Sequence, residues 1–402
     1  MWVFTHWREF VRILKQYTIQ TFIVIAALQS VVNNMVHPVT PAFIHHLQLG
    51  DYMFGVAYAS MNLMMFISSF YWADASNKMK MSHIMVISLL GYGVAQLVFM
   101  LATTELQIIV GRMLAGAFSG GFLVGQLNFI VSKSSIQERG QNLTNYTIAM
   151  IVASTVGYLL GGLFGDISLR YPFIIQIGAL VVLAIVNYFF LSNTQSEVII
   201  KDEKKIRPID SMKHSWSILD VLGRLIFISI FFAWMANIVF DNSFNYYIRD
   251  VLNYPPSANG ILKAIIGGFT LISNLTLTYY LIKKTKISRS MMVLALFVSS
   301  VILFILFNTE QNIFIALSLL TLGAFSILQP LQQTSVSLLS ENQVSVNHLM
   351  GFFNAIKSLG GIIGSLMAGF IYTVHSSGPF VLALSFIFIA LVTLIIHERK
   401  SA

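Results

Sequence analysis

Residues Ser192–Ser217, SNTQSEVIIKDEKKIRPIDSMKHSWS, form the one long polar run in a chain that is 56% hydrophobic and only 10% charged. Soluble domains carry about 25% charged residues, so the rest of the chain lacks the polar surface that water requires. A helix needs roughly 20 apolar residues to cross the hydrocarbon core of a bilayer. Working outward from the polar run, such stretches precede it at 18–43, 53–75, 82–103, 106–131, 144–165 and 171–192. They follow it at 221–246, 257–281, 290–307, 312–338, 348–372 and 379–396. The expectation is an all-α integral membrane protein of twelve transmembrane helices in two six-helix halves, 18–192 and 221–396. Between them lies a cytoplasmic linker over 193–220, and residues 397–402 form a cytoplasmic tail.

Residues 1–17 mix Trp2, Trp7 and Phe10 with Arg8, Arg12 and Lys15. This composition fits an amphipathic helix lying on the inner membrane surface. No small-residue cleavage site follows the first apolar segment, so no removable signal peptide is expected. Lys and Arg in short loops set orientation. With the N-terminus inside, Arg170 and Arg249 fall outside, Arg112, Lys263 and Lys357 fall within spans, and every other one of the 24 basic residues is cytoplasmic. The net charge of +8 therefore follows from topology, and no nucleic-acid partner is expected. Both termini are placed in the cytoplasm, with the protein multi-pass in the plasma membrane of a bacterial cell.

A residual repeat relates the halves. Gly157-Tyr158-Leu159-Leu160-Gly161-Gly162 in span 5 corresponds to Gly364-Ser365-Leu366-Met367-Ala368-Gly369 in span 11. In the same register, the basic turn Ser76–Lys80 corresponds to Lys283–Ile287. Two six-span halves in parallel repeat are a known transporter layout, with substrate bound between them near the mid-membrane.

These features resemble the major facilitator superfamily, and within it the twelve-span bacterial drug:proton antiporters. In span 4, Arg112-Met113-Leu114-Ala115-Gly116-Ala117-Phe118-Ser119-Gly120 resembles the family's R-x-x-x-G-x-x-x-G pattern. In span 5, Gly157-Tyr158-Leu159-Leu160-Gly161-Gly162 resembles G-P-x-x-G-G, with Tyr158 in place of Pro. Between spans 2 and 3 the family's G-x-x-x-D-R-x-G-R-R is reduced to little beyond Lys80, with Ser76 at the Asp position and Asp74 two residues early. Span 1 ends in Pro-punctuated sequence, His37-Pro38-Val39-Thr40-Pro41, similar to drug exporters. The resemblance implies a monomer that works by alternating access.

Ionisable groups inside a membrane are costly and usually functional. Lys357 lies about ten residues into span 11, about 15 Å deep at 1.5 Å per residue, where it needs a partner or a wet cavity. Arg112 belongs, by the resemblance, to a proton relay or to the hydrogen bonds supporting it, whereas Lys263 can snorkel. No carboxylate sits mid-span. Proton coupling needs a group that alternates its protonation, and Asp241, Arg112, His37 and Asp74 are the candidates. Asp241 leads, with a hydrated span-end carboxylate paired to Lys263 as its bland reading.

Amides in spans face protein or water. Lys357, Asn354, Asn33, Asn34, Gln126, Asn237, Asn245, Tyr246, Gln329, Gln333 and Trp234 are therefore the candidate lining of a substrate cavity. Asn354 and Lys357 share a helical face. Gly116, Gly120, Gly157, Gly161 and Gly162, with Lys80 at the turn, are assigned to helix packing and gating, because small residues let helices approach and slide.

No G-x-x-x-x-G-K-[ST] loop appears, which argues against ATP-driven transport. There is no Cys, no H-E-x-x-H and no paired mid-membrane acids, so neither an enzyme nor a metal centre is expected. The expectation is a secondary transporter with no cofactor, powered by the proton gradient, exporting hydrophobic or amphiphilic small molecules. With three cations and few acids in the core, neutral or anionic amphiphiles fit better than strong cations. A carrier of a lipid-like or anionic metabolite is the alternative, and a non-transporting sensor or scaffold belongs to another class.

Overall fold

The computed structural model describes residues 18–76, 78–135, 138–192, 208–308, 310–339 and 346–401. The expected surface helix over 1–17 and the linker residues 193–207 lie outside them. Every regular element among the described residues is helical. In chain order these are α1 (Thr18–Asn34), α2 (Thr40–His46), α3 (Met53–Ser76), α4 (Met81–Met100), α5 (Glu105–Lys133), α6 (Arg139–Ile167) and α7 (Tyr171–Ser192). Within the linker lies α8 (Pro208–Ile218), and after it come α9 (Val221–Asp250) and α10 (Pro256–Ser273). A π-helical segment (Asn274–Thr278) then runs into α11 (Tyr279–Lys284), followed by α12 (Ile287–Phe307), α13 (Gln311–Leu339), α14 (Val346–Val374) and α15 (Gly378–Ser401).

Among the described residues, 11 helices are long and apolar enough to cross a membrane, with α10, the π segment and α11 counted as one span. Span 1 falls short because α1 has 17 residues and the chain turns at Met35–Val39 before α2 resumes. The cause is local. Pro38 and Pro41 lack the N–H groups a continuous helix needs, and their rings clash with the preceding turn. The carbonyls freed at the end of α1 find a partner in fully buried Gln176 of α7. Its Nε2 donates to Val32 O at 2.7 Å and Asn33 O at 3.1 Å. Other helix starts are specified by caps. Thr104 and Gln107 form a capping box at α5, and Asp220 accepts from Gly223 N at the head of α9.

Two compact units emerge. The first holds Met1–Val39 with Met64–Asp202, and the second holds Thr40–Leu63 with Glu203–Ala402. In the first, α1 packs on α6 and α7, and α4 packs on α5 and α7. In the second, α9 packs on α14 and α15, and α12 packs on α13 and α15. Numbered as spans, 1 with 5, 3 with 4 and 3 with 6 recur as 7 with 11, 9 with 10 and 9 with 12. The repeat read from Gly157–Gly162 and Gly364–Gly369 is thus a repeat of packing.

Its tightest points are glycine contacts. A Cβ on Gly161 would stand 1.9 Å from Met35 O, and one on Gly157 2.3 Å from Val31 O. Only glycine lets α6 lie this close to α1. Apolar side chains such as Leu106, Phe307 and Val374 are exposed on the outside of the bundles, as contact with acyl chains demands.

Candidate functional site

In the second unit, Asp241 on α9 and Lys263 on α10 form an ion pair. The Lys263 side chain is 13% exposed and that of Asp241 31%, so the pair is largely removed from solvent. The two helices share little other packing. Removing one partner from a buried pair leaves an uncompensated charge and costs about 3–5 kcal/mol when burial is complete, and less at this exposure. The acid is therefore the main tie between two spans that otherwise pack little against each other.

Lys357 on α14 has a different setting. Its Nζ lies 3.9 Å from the Trp234 ring centroid and 5.1 Å from that of Phe353. Among the described residues no carboxylate is within ion-pair distance of it. Cation–π attraction is worth about 0.5–2 kcal/mol, while taking an ammonium out of water costs several. The rings hold the charge without balancing it. Asn354, one turn earlier on α14, is exposed.

At the end of this unit that the charge bias places outside, six more residues converge. Tyr246 Oη donates to Asp51 Oδ1 at 2.7 Å and Tyr372 Oη donates to Asp250 Oδ2 at 2.8 Å. His45 Nε2 lies 3.7 Å from Asp250. Phe54 stacks on Tyr246 and meets Tyr372 edge-on. Beneath this cluster the backbones of α3 and α14 touch, since a Cβ on Gly55 would fall 2.2 Å from Ser365 O. Asn242 Nδ2 donates to Ser365 Oγ at 3.0 Å. Tyr246, read from sequence as cavity lining, is thus buried in a carboxylate–tyrosine network. Asn245 is buried beside it, Asn237 is half-buried, and Gln329 and Gln333 are exposed on α13.

In the first unit, Arg112 is 2% exposed, with its guanidinium 4.1 Å from the Phe99 ring centroid. Gln126 Nε2 donates to Gln29 Oε1 at 3.1 Å, and Gln126 Oε1 accepts from Tyr146 Oη at 2.7 Å. This places Gln126 in an inter-helix chain in the core, because an amide buried among apolar side chains must find partners. Asn34 Nδ2 donates back to Ser30 O, Asn33 is half-buried, and the His37 ring packs 5.9 Å from Tyr158. The candidate residues therefore fall into separate groups in the two units.

A family model for the Major Facilitator Superfamily matches residues 22–349. The chain belongs to that superfamily. It is an integral membrane transporter with an all-helical facilitator fold. Quinolone resistance protein NorA of Staphylococcus aureus (strain COL) is 23% identical over 373 residues, covering 92% of this chain and 93% of that protein. Multidrug resistance protein 2 of Bacillus subtilis (strain 168) is 21% identical, with 91% and 92% covered. Among solved structures, a bacterial homologue of the iron transporter ferroportin in an inward-facing state aligns at a TM-score of 0.72 and 14% identity, covering 95% of this chain and 98% of that one. A bacterial homologue of the human lysosomal transporter Spinster aligns at 0.71 and 12%, covering 96% and 97%. These likenesses establish the fold.

In this facilitator the degraded turn after span 2 is rebuilt locally. Asp74 at the end of α3 pairs at 2.7 Å with Lys78 in the turn that follows, and Lys80 is exposed at the head of α4. Trp72 Nε1 donates to Ala117 O at 2.7 Å. Gly116 O lies 3.5 Å from Ser68 Oγ, and a Cβ on Gly120 would sit 2.6 Å from the same oxygen. The span-4 glycines thus seat α3 on α5. Gly162 is buried on α6. Asp51, Asp250, Tyr372, Gln29 and Gln176 were not singled out by sequence reading. The two acids flank spans and look hydrated in one dimension, and the two amides become visible only through partners more than 90 residues away.

Proposed function

We propose that this facilitator is a proton-coupled exporter of hydrophobic or amphiphilic small molecules, working by alternating access in a bacterial plasma membrane. The observation that carries this reading is the Asp241–Lys263 pair. When Asp241 is ionised it holds Lys263, and α10 is tied to α9. When Asp241 takes up a proton the Coulomb attraction is lost, and α10 is released from a neighbour it scarcely packs against. Proton uptake thereby becomes a change in helix packing. The π segment directly below α10 supplies a place for that change to be absorbed, since such segments interrupt the regular ladder. Lys357, Trp234 and Asn354 supply a charged, aromatic and polar surface for substrate. The names carried by the NorA and Bacillus relatives agree with efflux. The test is inverted membrane vesicles with an acidified lumen and a fluorescent hydrophobic dye. Dye accumulation that collapses with the pH gradient supports the proposal. Well-folded protein that moves no dye under a full gradient overturns it.

A further inference from the structure

Lys263 has Asp241, Lys78 has Asp74 and Lys286 has Glu398. Among the described residues Lys357, deep in α14, has only aromatic faces. The groups around it are also donors. Gly361 lies one turn further along the same helix face, and the point where its Cβ would stand is 3.7 Å from both Trp234 Nε1 and Asn62 Nδ2. Neither of those atoms makes a hydrogen bond to protein among the described residues. An indole N–H and a carboxamide therefore border the open position beside Gly361, one turn from Lys357. With no side chain at Gly361, that position lies within van der Waals reach of both nitrogens.

An array of donors around an unbalanced cation is completed by an anionic oxygen group, because charge-assisted hydrogen bonds to such a group are the strong ones. The flanking Trp234 and Phe353 rings favour an aromatic or flat apolar body beside that group. We infer that Lys357, Trp234 and Asn62 form the docking point for a carboxylate-type anion carried on an aromatic amphiphile. The inference rests on the transporter reading and narrows its substrate class. A strongly cationic dye meets repulsion here, and a neutral one leaves Lys357 unbalanced.

The experiment measures binding without any proton gradient, so it stands or falls separately from coupling. Detergent-purified full-length protein is titrated with pyrene butyrate and with the corresponding neutral amide, using the wild type, Lys357→Met and Lys357→Arg. Size-exclusion and thermal profiles check each variant's fold. The wild type is expected to bind the carboxylate about tenfold tighter than the amide. Lys357→Met should lose that preference while its amide affinity is retained, and Lys357→Arg should restore it. Equal affinity for both probes in the wild type overturns the inference. So does a preference that survives Lys357→Met, or a failure of Lys357→Arg to restore it. If the carboxylate preference holds while gradient-driven efflux fails, the exporter reading falls and the anion site remains.

Discussion

Two lysines within spans, Lys263 and Lys357, share a residue type and a similar cost of burial, and their neighbours give them different work. Lys263 is neutralised by Asp241, whereas Lys357 is sandwiched by Trp234 and Phe353. Sequence marks Arg112, Lys263 and Lys357 as ionisable groups within spans, because charge in an apolar run is visible in one dimension. The Asp241–Lys263 pairing itself was legible only as the bland reading of Asp241, 22 residues away on the next span. A double-mutant cycle with Asp241→Asn and Lys263→Met tests the pair in melting experiments. The two single variants should each be destabilised, and the double variant should recover about 1 kcal/mol or more relative to their sum. Strict additivity would mean that the pair contributes nothing to holding α9 and α10 together.

At the scale of elements, hydropathy located the spans well, since length and apolarity are properties of contiguous sequence. The break in span 1 follows from Pro38 and Pro41, which the hydropathy of 18–43 as one span passes over. The helix α8 within the linker has Pro208 at its first position but no apolar run to mark it, and the π segment at Asn274–Thr278 carries no Gly or Pro signal. Both depend on tertiary surroundings. The glycines of α6 were legible as packing residues, and their neighbours are now explicit. Gly161→Ala should cost about 1–3 kcal/mol, because the new methyl overlaps Met35 O and α6 must move off α1. Gly178→Ala in α7 meets nothing within 4 Å and should be neutral or stabilising by up to about 1 kcal/mol. Similar melting temperatures for the two variants would contradict the close-approach account.

For the molecule as a whole, the sequence supplied the repeat and the membrane class, and folding supplied the network that ties Asp51 to Tyr246 and Asp250 to Tyr372. Each of these charge-assisted bonds is worth about 1.5–3 kcal/mol. They tie the Asp51 segment and α14 to the end of α9, and on the export reading proposed above they latch the end that the charge bias places outside and open during transport. The chain has no Cys, so an introduced thiol can be labelled without background. In an Asn242→Cys background, Tyr246→Phe with Tyr372→Phe should raise the rate of labelling by an impermeant maleimide about tenfold or more. An unchanged rate would mean that the hydroxyls do not latch this end.

The central claim is that proton uptake at Asp241 drives transport, and proteoliposomes carrying Asp241→Asn test it most directly when two modes are measured on one preparation. Counterflow, the exchange of labelled for unlabelled substrate, needs no net proton transfer, whereas accumulation driven by an imposed pH gradient does. Asp241→Asn should retain counterflow and lose gradient-driven accumulation. Accumulation at the wild-type level by Asp241→Asn would contradict it and remove Asp241 from the coupling mechanism.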